Sequence, residues 1–528
     1  MISYRKLAMR VLGHSPVSAV KTARRSTGKR AAALALTAAL VVGMTLPAFA
    51  GTWYIEDGDI SISAGESGND VTQNGATTKN DTNTVITNHD SSNASSNTVT
   101  IDAEEGKTVD VTLNNVTINV DEGYKYGYDP NAYKTAVSVT GSGDTNIELN
   151  GNNTLTSGYG HAGLEHNKTD DSGTLTITDN NNDGKLTANG GIGGAGIGGG
   201  DEHDGQVTIT GGEITATGGS SGTGCGGAGI GGGAGDTDAG GGDGDVTISG
   251  GTINATGGNE AAGIGGGAYG NGTVTITDGD ITAKATGDYG AGIGGGVCGT
   301  GDVTIEGNVT IKNAKGGAGA AGIGGGAEAE PDTEDTKNKV SIKSTEAGSP
   351  NITATGGGAY KDSYVSLPGG AAAIGSGSVA DDATEVKSDI TVEGKVTIDA
   401  TGGGNVAIGD STNGETRFSG LQVGTTITRR NAKGDDVSQP GDVVREQAPT
   451  ETEAAEAPST GSVEVERPVT VEGLYVTNVL GKQITHTCTQ NGTTLTIRAN
   501  GIVTSAHLTL GMVRTLKAQG VKTLVFTT

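Results

Sequence analysis

One six-residue block constrains this chain more than any other feature. Ala-Gly-Ile-Gly-Gly-Gly begins at Ala195, Ala228, Ala262, Ala291 and Ala321, at intervals of 33, 34, 29 and 30 residues. Degenerate copies begin at Ala372 and Val406. A fixed period of this size marks a stacked-repeat architecture, because one unit cannot bury its own apolar face and its neighbours in the stack must do so. Gly fills 97 of 528 positions, far above the usual share of about 7%. It does not recur at every third residue, which excludes a collagen triple helix. Aromatics make up only 3% of the chain, so the available core is thin and aliphatic, and an elongated stack suits it better than one large globule.

Each repeat contains three strand-like pieces, for example Val207–Thr210, Glu213–Thr217 and Ala228–Gly231. Alternation puts Val207, Ile209, Ile214, Ala216, Ala228 and Ile230 on one side and Thr208, Thr210, Thr215 and Thr217 on the other. The next repeats copy the pattern with Val246, Ile248, Ile253, Ala255 and Ile264, then Val274, Ile276, Ile281, Ala283 and Ile293. Gly211-Gly212 and Gly250-Gly251 mark corners between strands. The expected fold is all-β, a parallel β-helix with three sheets around an aliphatic column, running over residues 51–430 in about twelve windings of about 30 residues. A β-propeller is the competing fold; its blades need four strands and a period of about 40–50 residues, and this chain supplies three strands in a shorter one.

The termini read differently. Lys21, Arg24, Arg25, Lys29 and Arg30 precede an apolar run, Ala31–Leu46, and then Pro47-Ala48-Phe49-Ala50. That is the pattern of a secretory signal peptide, 1–50, cleaved after Ala50. The mature chain is therefore expected to be secreted or cell-surface associated, with no membrane span after cleavage. Residues 431–468, rich in Asp, Glu, Pro, Ala and Ser, read as an extended linker. Residues 469–528 read as a small α+β module, with a helical face of Leu508, Met512, Val513 and Leu516 and a helix stop at Gly520. The sequence closes without an LPxTG-type sorting signal or a hydrophobic tail, so a continuation beyond Thr528 or attachment by another route both remain open. Formal net charge is −26, and no Arg occurs between Arg30 and Arg417. Both argue against a nucleic-acid partner, whose phosphates need Lys and Arg. The three cysteines, Cys225, Cys298 and Cys488, contain no CxxC and give neither a disulfide framework nor a zinc cluster.

Several further stretches accompany the Gly blocks. They are Trp53 with Asp57-Gly-Asp59-Ile60, Ala103-Glu-Glu-Gly-Lys107, His161-Ala-Gly-Leu164, and Leu175-Thr-Ile-Thr-Asp-Asn-Asn-Asn-Asp-Gly-Lys-Leu186. Together they resemble the secreted carbohydrate-binding domain-containing proteins of clostridial and gut Gram-positive bacteria, over about residues 52–410. The resemblance implies a parallel β-helix that binds plant-type polysaccharide, carries calcium and is not catalytic.

Two groups of residues are candidates for that role. Tyr124, Tyr126, Tyr128 and Tyr133 form the densest aromatic cluster in the chain, and Tyr159 and His161 form a second group. Sugar rings lay their CH faces on such rings, while nearby Asp, Asn and Lys bond the hydroxyls. Asp179, Asn181 and Asp183 match the first half of a calcium loop, D-x-N-x-D-G, but the bidentate acid of an EF-hand would fall at Gly190; a shortened calcium site and an Asx-rich turn are the two readings. Asp201–Asp204 and Asp236, Asp238, Asp243 and Asp245 are further acidic loops. The outward Thr ladder of Thr208, Thr247, Thr275 and Thr304 offers a hydroxyl face or simply reflects strand propensity. A polysaccharide lyase would need carboxylates, calcium and a basic residue, for which Lys168 and Lys185 are the candidates. The expected function is non-catalytic binding of a polysaccharide or a host or plant glycan, with a structural stalk or adhesin, or a polyuronate lyase, as the alternatives.

Overall fold

The computed structural model describes residues 50–123, 133–220, 224–236, 240–329, 337–361, 366–380, 384, 386–411, 414–445, 467–469, 471, 474–478, 482–491, 493–499 and 504–527. The chain divides into two units, Met1–Glu446 and Gln447–Thr528.

The first unit is a parallel β-helix. Its third face shows the winding most simply. Ile60, Val99, Val137, Leu164, Ile197, Ile230, Ile264, Ile293, Ile323, Ile374 and Ile408 stack in one unbroken parallel ladder. That makes eleven windings, against the twelve expected from average spacing. The difference lies in the long windings: the first, where Asn69–Gln73 folds back antiparallel on Ile60–Ala64 and Ala76–Asp81 on Asn69–Gln73, and the one from Ile323 to Ile374, which carries the excursion around Gly358–Pro368. The other two faces merge into one 18-stranded sheet, because strands such as Gly244–Gly257 run unbroken around the Gly250-Gly251 corner. Val246 and Ile248 point inward before that corner, and Ile253 and Ala255 after it, all at most 1% exposed. The expected aliphatic column is therefore present, with side chains laddered from coil to coil.

The ladders show how strictly position is set. Val116, Asn153, Leu186, Ile214 and Ile253 share one inward row. Asn153 is tolerated there because its amide is fully used: it accepts from Val116 N and donates to the carbonyls of Asn150 and Lys185. Thr145 sits in another such row, between Val109 and Leu175. It is fully buried, and its hydroxyl has no partner.

The Gly blocks have a role that reaches beyond corners. On either side of each block the chain folds over the outside of the third face and joins itself across neighbouring windings. The carbonyls of Gly193, Gly226, Glu260, Tyr289 and Gly319 accept from the N–H groups of Ala234, Ala268, Val297, Ala327 and Ser378, at 2.6–3.1 Å. Ala268, Val297, Ala320, Ala327, Tyr289 and Leu367 form a second, smaller apolar cluster in this outer layer. The excursion around Gly358–Pro368 contributes a short hairpin, Tyr360–Lys361 with Ser366–Leu367, which lays Leu367 and Tyr360 over it. The two-residue strands thus have the aliphatic column on one side and the outer layer on the other. At Gly231, with φ 134°, a Cβ would meet the Gly265 carbonyl oxygen at 1.9 Å; at Gly233 it would meet the Gly200 oxygen at 1.7 Å.

The far end of the stack is closed. At the far end the alanine row, Ala188 through Ala400, terminates in Arg429. Arg429 is fully buried, bonded to Glu415, to Asp442 and to the Thr416 carbonyl, with Phe418 against its guanidinium. Asp442 comes from residues 431–445, which return antiparallel over the last strand through the Thr426–Val443 bridge. This corrects the expectation that the linker begins at 431: a buried cation needs its counter-charge, and the acidic stretch supplies it. Such closure also hides the strand edges that would otherwise pair with other chains.

The second unit has a four-stranded and a three-stranded sheet around Leu474, Val476, Cys488, Leu495, Ile497 and Leu516. Its helix, Leu510–Ala518, is capped by Thr509, and Gly520 (φ 87°) follows it. Leu508, Met512 and Leu516 pack inward as expected, whereas Val513 is 40% exposed.

Two substitutions test this account. Thr145→Val removes an unpartnered buried hydroxyl and should stabilise the first unit by about 1 kcal/mol. Gly231→Ala inserts a methyl where backbone already sits and should destabilise it by several kcal/mol, about 3 or more. Thermal melts followed by circular dichroism read both, and opposite shifts are expected.

Candidate functional site

The outward face of the first windings differs chemically from the rest of the stack. Strand register places Asp110 beside Asn146 and Thr176, Thr112 beside Glu148 and Thr178, and Asn114 beside Asn150. Later windings continue the first of these rows with Thr208, Thr247, Thr275 and Thr304. The face therefore begins with carboxylates and carboxamides and continues in hydroxyls. Asn146 Nδ2 donates to Asp110 Oδ1 at 2.8 Å. Glu148 accepts from the backbone and side-chain nitrogens of Asn180 at 2.8 and 2.7 Å. These groups line an open cleft of about 330 Å³. A neighbouring cleft of about 400 Å³ shares Thr82 and Asp110 with it and reaches Lys107 and Glu66.

An aromatic plate lies at the start of the same face. Tyr54 belongs to the lateral row Tyr54, Thr87, Asn114 and Asn150. Its ring stacks on His89, with centroids 3.8 Å apart and planes 8° apart. Asp57 holds the imidazole edge at 3.3 Å, and Glu56 accepts from the His89 N–H. Burial raises the Glu56 pKa, but hydrogen bonds from the backbone of His89, Glu56 and Asp90 and from Asn88 together outweigh it and hold the carboxyl below its ordinary range. The sequence carried a signal for this region: Asp110-Val-Thr-Leu-Asn114 and Asn146-Ile-Glu-Leu-Asn150 alternate in step. Only the register shows that their polar members lie side by side.

The expected aromatic cluster is partly reached. Tyr124, Tyr126 and Tyr128 lie outside the described residues. Tyr133 is 8% exposed and packs on Tyr159 at 5.4 Å. This corrects its expected role as a stacking platform, since a buried ring has no face to offer. Tyr159 and His161 remain half-buried beside it. His161 Nδ1 lies 2.9 Å from Glu165 Oε2, and Glu165 is itself buried and also bonded to Ala162 N. The Glu165 bond raises the His161 pKa despite partial burial. On the same side of the chain, burial pushes the His166 pKa down.

The acidic loops are occupied with backbone. Asp179 accepts from the N–H groups of Asp183 and Gly184, which closes the loop on its own backbone. Asn181 Nδ2 reaches Asn150 Oδ1 at 3.4 Å. Asp204 accepts from Asp243 N, Asp243 from Asn271 N, and Asn271 from Thr300 N. These residues form a ladder that ties each winding to the next. Among the described residues no group of three or more His, Cys, Asp and Glu comes together to hold a metal. Asp201 is different: burial, with Glu202 and Asp236 nearby, pushes its pKa up to about 6. The two candidate bases are in ion pairs, Lys168 with Asp245 at 2.9 Å and Lys185 with Glu213 at 2.6 Å. No disulfide joins Cys225, Cys298 or Cys488. The Cys225 thiol, pushed up to about 11 mainly by burial, points to Glu260.

A family model described as Beta helix repeat matches residues 181–201, 246–268 and 274–297, which agrees with the observed winding. No curated protein and no solved structure matches the chain. No helix among the described residues is long and apolar enough to cross a membrane.

Asp201 gives a pH prediction. Its folded pKa lies above the unfolded value, so its protonated form favours the fold; that contribution is present in acid and lost as pH rises through about 6. Asp201→Asn should therefore raise the melting temperature at pH 8 and leave it nearly unchanged at pH 4. An equal shift at both values would contradict the buried-carboxyl account.

Proposed function

We propose that this is a secreted or cell-surface protein that binds a polysaccharide without chemical change, along the polar face of its first windings. The observation that carries the reading is the in-register array of Asp110, Asn146, Glu148, Asn114 and Asn150, which runs from the Tyr54–His89 plate. Carboxylates and carboxamides accept and donate to vicinal hydroxyls, and the plate meets the CH face of a sugar ring. Windings about 4.8 Å apart repeat these contacts along the rod. A polymer can collect many weak contacts where a small molecule collects one or two. The clefts are open and shallow, which suits a chain lying across them, whereas small-molecule sites are mostly enclosed and apolar. Export through the 1–50 segment places the face where polysaccharides are met.

A structural stalk is the second reading. It is favoured by the closed far end of the stack and by the presence of a second folded unit. The two readings separate in a pull-down on a panel of insoluble polysaccharides. Retention of the wild-type chain is expected. The triple variant Asp110→Ala, Glu148→Ala, Asn150→Ala should lose tenfold or more in affinity, about 1.4 kcal/mol or more. These side chains point to solvent, so the melting temperature should stay within a few degrees. Full retention by the triple variant would remove this face from the reading. A chelator added to the same assay tests calcium: loss of retention would place a cation in the contact.

A further inference from the structure

The second unit carries a plate of the same construction as Tyr54–His89. Strand Tyr475–Asn478 pairs antiparallel with Thr504–His507 on one side and with Gln483–Ile484 on the other. Val476 is fully buried in the core of this unit, so alternation turns Tyr475 and Thr477 to the solvent side. His507 lies directly opposite Tyr475 in the register. The two rings stack with centroids 4.5 Å apart and planes 8° apart. Thr477 Oγ1 stands 2.8 Å from His507 Nε2 and fixes the imidazole. Tyr475 is 40% exposed, and the exposed Gln483 lies across from Thr477. None of the four is a carboxylate or an ammonium group.

We propose that this stack is a second carbohydrate site, taking the apolar face of a neutral sugar ring on an outer face of the Tyr475–His507 stack, with Thr477 and Gln483 bonding its hydroxyls. The inference rests on the polysaccharide-binding reading and extends it to the second unit. A buried aromatic pair would be core packing. A pair held flat in water, with a hydroxyl and an amide at its edge, presents a sugar with both surfaces it needs. The recurrence of the same phenol–imidazole geometry beside the polar face of the first unit is an independent observation in favour of a shared ligand class. Two sites on one chain make the second contact intramolecular, which raises apparent affinity without new contacts at either site.

The test uses the full chain on the polysaccharide that retains the wild type. Tyr475→Ala should lower apparent affinity tenfold or more, and Tyr475→Phe, which keeps the ring, should stay near wild type. Soluble oligosaccharide should also protect His507 of the wild-type chain from diethyl pyrocarbonate, read by mass spectrometry, a measurement independent of how the Ala variant folds. Unchanged retention of Tyr475→Ala together with an unprotected His507 would overturn this inference while leaving the first-unit reading intact. Failure of the wild type to bind any polysaccharide would overturn both. Protection of His507 by a second copy of the chain, at concentrations where it self-associates and without sugar, would assign the plate to an interface and overturn the carbohydrate role.

Discussion

Backbone packed directly against backbone is the constraint on which the rest of this structure depends. Around each Ala-Gly-Ile-Gly-Gly-Gly block the third face is sandwiched between the aliphatic column and an outer layer of the same chain. The gap between one winding and the next admits hydrogen atoms and no Cβ, as Gly231 against Gly265 and Gly233 against Gly200 show. The single Ile of each block faces the column and supplies the apolar contact that a two-residue strand otherwise lacks. Such strands have few ladder bonds of their own, and the carbonyl-to-N–H bonds of the outer layer, such as Glu260 to Val297, add the missing cross-links. The result is a rigid spacing between windings, to which every other ladder must conform.

That spacing decides the fate of polar residues. Inside, a polar group survives where its bonds are complete, as at Asn153, or where it closes an end, as at Arg429 with Glu415 and Asp442. At the corners Asp204, Asp243 and Asn271 pass a hydrogen bond from one winding to the next. Much of the acidity at the corners is therefore structural, and many carboxylates that look like cation ligands in the sequence are already engaged with N–H groups. On the outside the same spacing aligns side chains into rows. Only there does the chain vary freely, from Asp, Asn and Glu in the early windings to Thr in the later ones. A binding face of this kind costs the fold little, since its residues contribute almost nothing to the column.

Much of this was legible beforehand. The inward aliphatics of Val207 through Ile293 are readable from sequence because strand alternation has a period of two and the repeat supplies several independent copies of it. The stop at Gly520 follows from an equally local rule. The outer layer was not legible. Ala268, Val297 and Ala327 lie just beyond the blocks in stretches that look like loops, and their burial comes from windings about 30 residues away in the chain. Tyr133 misled for the same reason: a Tyr-rich segment reads as exposed until Tyr159, from the next winding, is found against it. Residues 431–445 look like a linker by composition, yet their Asp442 answers a cation whose burial no local pattern reveals.

What the sequence by itself determined was the period, the identity of the inward side chains, the parallel winding and the separate character of the last residues. These follow from local alternation and from glycine spacing, which are properties of contiguous residues. The tertiary structure decided which polar side chains stand next to one another, which rings lie open and which acids are already bonded. Asp110 meets Asn146, and Tyr54 meets His89, only because register brings together residues more than thirty positions apart. A slip of one residue would turn each of those side chains to the opposite face. This polar face is thus written in pairings between windings, and no stretch of the chain contains it alone.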